Sequence, residues 1–170
     1  MLISQKISLA SFSSEPRISK LSWEEFKANS GTLAFLANPQ KVWAKFTREY
    51  QYTNVNWAGY IAKMTVNSNN HEHEDEHACL IFIKMIPDEF ENGVSLVVTL
   101  NRELYDKHKI MLSNAKLGDK LSFNGTLMML GTDRQIIHLH GIGVKLLGEH
   151  IDIPKEMAFY GRYGPMEEQP

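Results

Sequence analysis

The stretch that decides the fold is residues 101–147, NRELYDKHKIMLSNAKLGDKLSFNGTLMMLGTDRQIIHLHGIGVKLL. Asn101 is a good N-cap residue. The residues that follow it include several at helical spacing, which places their side chains on one face. Gly118 ends this segment, and residues 121–130 and 135–147 then form two strand-like runs around a turn. The shared face of the helix carries Leu104, His108, Met111 and Leu112. The stretch therefore predicts one helix followed by two strands.

Three further strand patterns precede this stretch, at residues 57–66, 78–86 and 94–100. Gly59 lies inside the first pattern and indicates a bulge or a sharp bend, which a small barrel needs in order to close. Three strands, one helix and two strands is the order of the OB plan, whereas a parallel α/β sheet would need a helix after nearly every strand. We therefore predict a mainly β fold. It is a five-stranded OB-like Greek-key barrel over residues 54–147, with a helix between strands 3 and 4.

Two short helices are expected before the barrel, in an N-terminal extension over residues 1–53. Ser22 and Glu25 have the spacing of a capping box, so a helix can begin at Trp23. Asn38 stands directly before a proline, which is typical of an N-cap followed by proline at the first helical position. The apolar stripe of this second helix carries Val42, Trp43, Phe46 and Tyr50. We expect the stripe to pack against the barrel.

Two parts of the sequence carry a family resemblance. The first part is residues 46–64, which end in NWAGYIAKM. The second is residues 104–146, with a helix, a glycine break, a strand, a Leu-Gly turn and a closing strand. Both parts resemble the C-terminal OB-like domain of wolframin. The match lies in pattern and spacing and covers most of residues 40–147. This resemblance implies an OB-like, non-catalytic binding module, although the cysteines of that domain are absent here.

Charge and composition argue against several classes of protein. The net charge is −2 and the pI is near 6.4. These values argue against a protein that binds nucleic acid by non-specific attraction, because such a protein normally has a surplus of basic residues. No apolar run approaches the roughly 18 residues that span a bilayer, so no membrane span is predicted. Cys79 is the single cysteine and lies in the apolar run ACLIFI, which indicates a buried thiol and excludes an internal disulfide.

The sequence contains no motif for catalysis. A Gly-x-Ser-x-Gly elbow and a P-loop are absent, and Gly141 and Gly143 are not followed by a helix-opening glycine in a βαβ unit. We therefore predict that the protein is not an enzyme, and we predict neither catalytic residues nor a cofactor.

A histidine-rich run, HEHEDEH at residues 71–77, offers weak candidates for a metal site. The candidate ligands are His71, His73 and His77. The alternative is a solvated acidic loop, because metal sites need ligands that rigid elements hold in place.

Two more histidines, His138 and His140, are two positions apart and so share one face of the last predicted strand. Ile136, Ile142 and Val144 are expected on the same face. These aliphatic neighbours favour structural histidines over metal ligands.

Single-stranded nucleic acid is the ligand that many OB barrels bind, through aromatic rings that stack on bases and basic side chains along the backbone. The candidate residues for this function are Trp57, Tyr60, Lys63, Phe82, Lys84, Phe123 and Arg134. Two observations count against it. The third predicted strand, VSLVVTL, contains no aromatic residue, and the acidic run before the second strand would repel phosphate.

The C-terminal tail, residues 148–170, contains the aromatic segment MAFYGRYGP at residues 157–165. Disordered tails are usually poor in aromatic residues, so we expect a docking tail that contacts a partner. Its candidate anchors are Phe159, Tyr160, Arg162 and Tyr163. Residues 1–14 are rich in serine and contain no acidic residue, which fits either a mitochondrial transit peptide or an ordinary tail of a cytoplasmic protein.

These features together predict a non-catalytic OB-fold accessory or scaffold subunit that mediates protein–protein contacts in a larger assembly. The serine-rich start favours a mitochondrial assembly. Its partners would be other protein subunits. The alternative is an OB subunit that binds single-stranded DNA or RNA.

Overall fold

The structure, a computed structural model, describes residues 20–67, 77–86, 94–130, 136–153, 160–161 and 164–165. The first elements are helices α1 (Trp23–Ser30), α2 (Thr32–Ala37) and α3 (Pro39–Lys45), followed by a π-helical turn (Phe46–Tyr50). The next elements are β1 (Asn54–Val66), β2 (Cys79–Lys84), β3 (Leu96–Leu100), α4 (Arg102–Ser113), β4 (Asp119–Leu130) and β5 (Ile137–His150). The short strands β6 (Tyr160–Gly161) and β7 (Gly164–Pro165) come last and pair with each other.

The five long strands close into a barrel in the order β1-β2-β3-β5-β4. Neighbouring strands are antiparallel, except that β3 and β5 run parallel. A closed five-stranded barrel with this connectivity and a helix between its third and fourth strands is an OB-like fold. The predicted fold class is therefore confirmed, including the short helices in front of the barrel.

Side-chain caps begin three of the helices at the positions that the sequence indicates. The Ser22 hydroxyl accepts a hydrogen bond from the Glu25 N–H at 3.1 Å, which starts α1. Asn38 and Asn101 begin α3 and α4 in the same way, through Oδ1. Helix α2 was not predicted. It is six residues long and its N-cap, Gly31, provides no side-chain hydrogen bond, so it lacks the usual sequence signals.

Aromatic side chains join the N-terminal helices to the barrel in one hydrophobic core. Trp57 points inward from β1, and its ring centroid lies 5.4 Å from those of both Trp23 and Phe26 on α1. Phe26 also packs against Phe46 and Tyr50, at centroid distances of 6.3 and 5.5 Å. Such aromatic pairs each contribute about 0.5–1.5 kcal/mol beyond the area they bury. The helices are therefore built into the core of the barrel.

A bulge interrupts β1 at Ala62, three residues after Gly59, where the sequence predicts a bulge or a sharp bend. The pairing of β1 with β2 changes register between Ile61 and Lys63. At position 59, a Cβ atom would lie 2.7 Å from the sulfur of Met85. The glycine therefore leaves room for the buried side chains of Ile83 and Met85.

A second bulge, at Ile142, reverses which face of β5 points inward. Asn124 of β4 pairs with Gly143, but the next residue of β4 pairs with Gly141, so Ile142 is skipped. His138 lies before the bulge and is half-buried on the outer face, whereas Val144 lies after it and is buried. The prediction that Val144 shares a face with the histidines is therefore wrong, because the extra residue shifts the alternation by one.

Candidate functional sites on the barrel surface

Outward-facing aromatic and basic side chains lie together on β1, β2 and the start of β4. We call Tyr60, Lys63, Phe82, Lys84 and Lys120 the basic–aromatic face; all five are half-buried. Tyr60 pairs with Lys84 on one side and Lys120 on the other, and Lys63 pairs with Phe82. The ammonium groups of Lys63 and Lys120 lie 5.9 and 5.8 Å from the ring centroids of Phe82 and Tyr60. Four of the predicted nucleic-acid candidates therefore occupy one face.

Lys120 is the member of this face that sequence reasoning missed. It is recognisable only through the strand pairing that places it beside Tyr60. Its ammonium group donates to a carboxylate oxygen of Glu149 at 2.9 Å, and this hydrogen bond is the main reason why the pKa of Lys120 is raised. Part of the positive charge of the face is thus already paired with a carboxylate.

Two of the predicted stacking residues, Trp57 and Phe123, lie in the core. They are paired with each other across β1 and β4, and only 6% and 1% of their surface is exposed. The indole N–H of Trp57 donates to the Leu21 carbonyl at 2.9 Å. Neither ring can therefore stack on a base without opening the barrel. Arg134 lies outside the described residues.

A second surface surrounds Tyr52, directly before β1. We call Tyr52, Met128 and Met129 the Tyr–Met patch; their exposed fractions are 66%, 38% and 49%. Tyr52 has a left-handed backbone, with φ of 66°, and its N–H donates to the Leu127 carbonyl at 2.7 Å. The side-chain amide of Gln51 donates to the Met128 carbonyl at 3.1 Å. These bonds continue the pairing of β1 with β4, so the backbone of residues 51–52 lies next to Leu127 and Met128.

The histidine candidates lie in different places. His71 and His73 fall outside the described residues, and His77 is exposed next to the start of β2. His138 is half-buried on β5, and its pKa is lowered first by burial and second by the charge of His77. Within the described part of the chain, no three His, Cys, Asp or Glu side chains are grouped closely enough to hold a metal ion.

Burial raises the pKa of Cys79 to about 11.

The candidate anchors of the tail fall mostly outside the described residues. Phe159, Arg162 and Tyr163 lie outside the described residues, and the backbone of Tyr160 forms a two-residue strand that pairs with Pro165.

Among the described residues, no helix is both long enough and apolar enough to cross a bilayer.

No family model matches the chain, and no curated protein matches it. Among solved structures, the chain is similar to OBody AM3L15 bound to hen egg-white lysozyme, with 16% identity, a TM-score of 0.41, and coverage of 65% of this chain and 90% of that one.

Two natural proteins are among the other similar structures. A chain of the S. pombe Stn1–Ten1 complex is 14% identical, with a TM-score of 0.37 and coverage of 56% of this chain and 59% of that one. The mitochondrial single-stranded DNA binding protein Rim1 of S. cerevisiae is 11% identical, with a TM-score of 0.36 and coverage of 57% and 95%. The barrel topology itself carries the assignment of this chain to the OB-like class.

Proposed function

We propose that the protein is a non-catalytic OB-fold subunit that contacts other proteins in a larger assembly, and that the Tyr–Met patch is one of its contact surfaces. The observation that carries this proposal is the presentation of Tyr52. Its ring is two-thirds exposed although its backbone is held firmly by the end of the β1–β4 ladder. Tyrosine and methionine are both enriched where protein surfaces meet.

The backbone of Tyr52 strengthens this argument. A left-handed conformation costs a residue with a Cβ atom about 1–2 kcal/mol, and glycine or asparagine would adopt it more easily. An exposed tyrosine gains no compensating burial at this position. Strained residues that keep a demanding side chain are typical of functional surfaces. The strain at Tyr52 is therefore best explained by a role of its side chain outside the isolated fold.

The neighbouring methionines fit the same role. Met128 and Met129 are exposed at the end of β4, where apolar side chains are not needed for packing. Methionine adapts its shape to a partner, and adjoining apolar side chains on a surface mark interaction sites. A partner that covered the patch would bury Tyr52 together with both methionines.

Affinity purification of the tagged full-length chain tests this function. We expect a reproducible set of co-purifying proteins, no nucleic acid, and elution from a gel-filtration column well above the size of the free chain. Tyr52→Asn should release that set, because asparagine keeps the left-handed backbone while removing the ring. The control is Ile110→Ser, which removes a large apolar side chain that is 77% exposed on α4. A Tyr52→Asn protein that retains all its partners would refute the role of the patch.

Single-stranded nucleic-acid binding is a second candidate function, and the basic–aromatic face favours it. Two outward-facing rings and three lysines on adjoining strands could support stacked bases and a phosphate backbone. Tyr60→Ala and Phe82→Ala should then weaken binding to a fluorescent oligothymidine, while Tyr52→Asn should not. Binding at low salt with a steep salt dependence would favour this candidate over the scaffold function.

The remaining parts of the proposal rest on the sequence. The tail residues Phe159, Tyr160, Arg162 and Tyr163 are proposed as further anchors because disordered tails are usually poor in aromatic residues. A mitochondrial assembly and kinship with wolframin are supported by the serine-rich start and by the patterns of residues 46–64 and 104–146.

A further inference from the structure

A pocket of about 280 Å³ lies between α4 and the middle of β4 and β5. Its polar lining consists of Lys107, His108, Ser122, Asn124 and Lys145. The pocket shares no residue with the Tyr–Met patch or with the basic–aromatic face. Its volume is just below the range of roughly 300–1,000 Å³ typical of pockets for drug-sized ligands, so it suits a smaller group.

The lining of the pocket is rich in hydrogen-bond donors and positive charge. Lys107 and Lys145 each bring an ammonium group, and the part of the chain that the structure describes contains no ion pair for either of them. Ser122 and Asn124 add a hydroxyl and an amide, which can both donate. No carboxylate is found among the described residues that line the pocket. This chemistry favours an anion over a cation or an apolar ligand.

The local backbone explains how the strands make room for the pocket. Ile142 is exposed, and the bulge at this residue places Gly143 opposite Asn124. A Cβ atom at position 143 would lie 2.7 Å from the side-chain oxygen of Asn124. Any side chain there would therefore displace Asn124 from its place on the pocket wall.

His108 lines the pocket with an imidazole whose pKa depends on its surroundings. Its pKa is lowered first by partial burial and second by the neighbouring Lys107 ammonium group. The lowered pKa favours the uncharged imidazole, which can offer one N–H to a ligand. A bound anion would offset the charge of Lys107 near the ring.

We propose that this pocket binds the phosphate group of a small molecule, either inorganic phosphate or a small phosphate monoester. Lys107 of α4 and Lys145 of β5 both line the pocket and would hold the phosphate oxygens, with Ser122 and Asn124 donating from β4. A hydrogen bond to a charged group contributes about 1.5–3 kcal/mol, so the loss of one lysine should weaken binding about tenfold or more.

The test is an NMR titration of the full chain with inorganic phosphate and, separately, with glycerol phosphate, at constant ionic strength against chloride. We expect saturable shifts of the backbone amides of Ser122, Asn124 and Lys145. Lys107→Gln and Lys145→Gln should each weaken the binding about tenfold. Lys109→Gln is the matched control, because this exposed lysine lies on the same helix but does not line the pocket.

A second variant separates the shape of the pocket from its charge. Gly143→Ala should abolish the phosphate-induced shifts while every lysine is kept, and its amide spectrum reports whether the barrel is intact. Shifts that do not saturate, or that change equally in Lys109→Gln, would overturn the proposal. An oligonucleotide that shifts the same amides at a much lower concentration than either small anion would also overturn it, since the ligand would then be a strand.

Discussion

Gly118 allows a sharp test of how the barrel is held together, through replacement by alanine. Its backbone φ is +90°, and it lies buried between α4 and β4. Its N–H donates to the Ile61 carbonyl at 2.8 Å, and its carbonyl accepts from the Ile151 N–H at 2.9 Å. A Cβ atom at position 118 would overlap the carbonyl oxygen of Ile151. Gly148 is the matched control, because its φ is +80° but nothing lies within 4 Å of its Cβ position.

Both substitutions place alanine in a left-handed conformation, but only Gly118→Ala also creates a steric overlap. Alanine in a left-handed conformation costs about 1–2 kcal/mol, partly offset by about 0.4–1 kcal/mol from the stiffer unfolded chain. Gly148→Ala should therefore destabilise the protein by about 1 kcal/mol. Gly118→Ala adds about 1–3 kcal/mol for the steric overlap and about 0.5–1.5 kcal/mol for a lost hydrogen bond. We expect a total of about 3–5 kcal/mol for Gly118→Ala.

Urea unfolding followed by tryptophan fluorescence measures both values, because Trp23 and Trp57 pack together in the core. The slope of the free energy of unfolding against urea should be unchanged if both variants unfold in one step. The reasoning is refuted if the two variants lose stability to within about 0.5 kcal/mol of each other. In that case backbone strain alone would account for both losses.

Further predictions concern Cys79 and Asp119. The Cys79 thiol should resist iodoacetamide at pH 8 in the folded protein and react at once in urea, because burial raises its pKa to about 11; rapid labelling of the native protein would contradict this. The pKa of the Asp119 carboxyl is lowered, first by the Lys116 N–H and second by His150. A lowered carboxyl pKa stabilises the fold above the unfolded value of about 3.9 and ceases to do so as the pH falls through the folded value. Asp119→Asn should therefore lower the thermal midpoint at pH 7 but not at pH 2, and an equal loss at both would refute the role of the charge.

Features that depend on a few neighbouring residues could be predicted from the sequence. Ser22, Asn38 and Asn101 cap helices through bonds that reach only three residues ahead, so spacing alone reveals them. The succession of strands and one helix follows in the same way from local periodicity. The six-residue helix α2 was not predicted because no side-chain cap marks its start. It is supported instead by packing against the other N-terminal helices.

The candidate sites depended on contacts between distant residues. Trp57 looked like a stacking residue, yet its ring faces the barrel interior and is covered by the N-terminal helices. Lys120 joined the basic–aromatic face only through its pairing with β1. The pocket combines Lys107 of α4 with Lys145 of β5, two residues that no local pattern connects.

The sequence by itself determined the kind and order of the elements, because helix caps, glycine breaks and alternating apolar residues act over a few positions. Only the tertiary structure decided which side chains reach the surface. A single bulge, such as the one at Ile142, reverses the direction of every later side chain in its strand. Closure of the barrel then brings together residues that are far apart in the chain, and the surfaces proposed here arise from that closure.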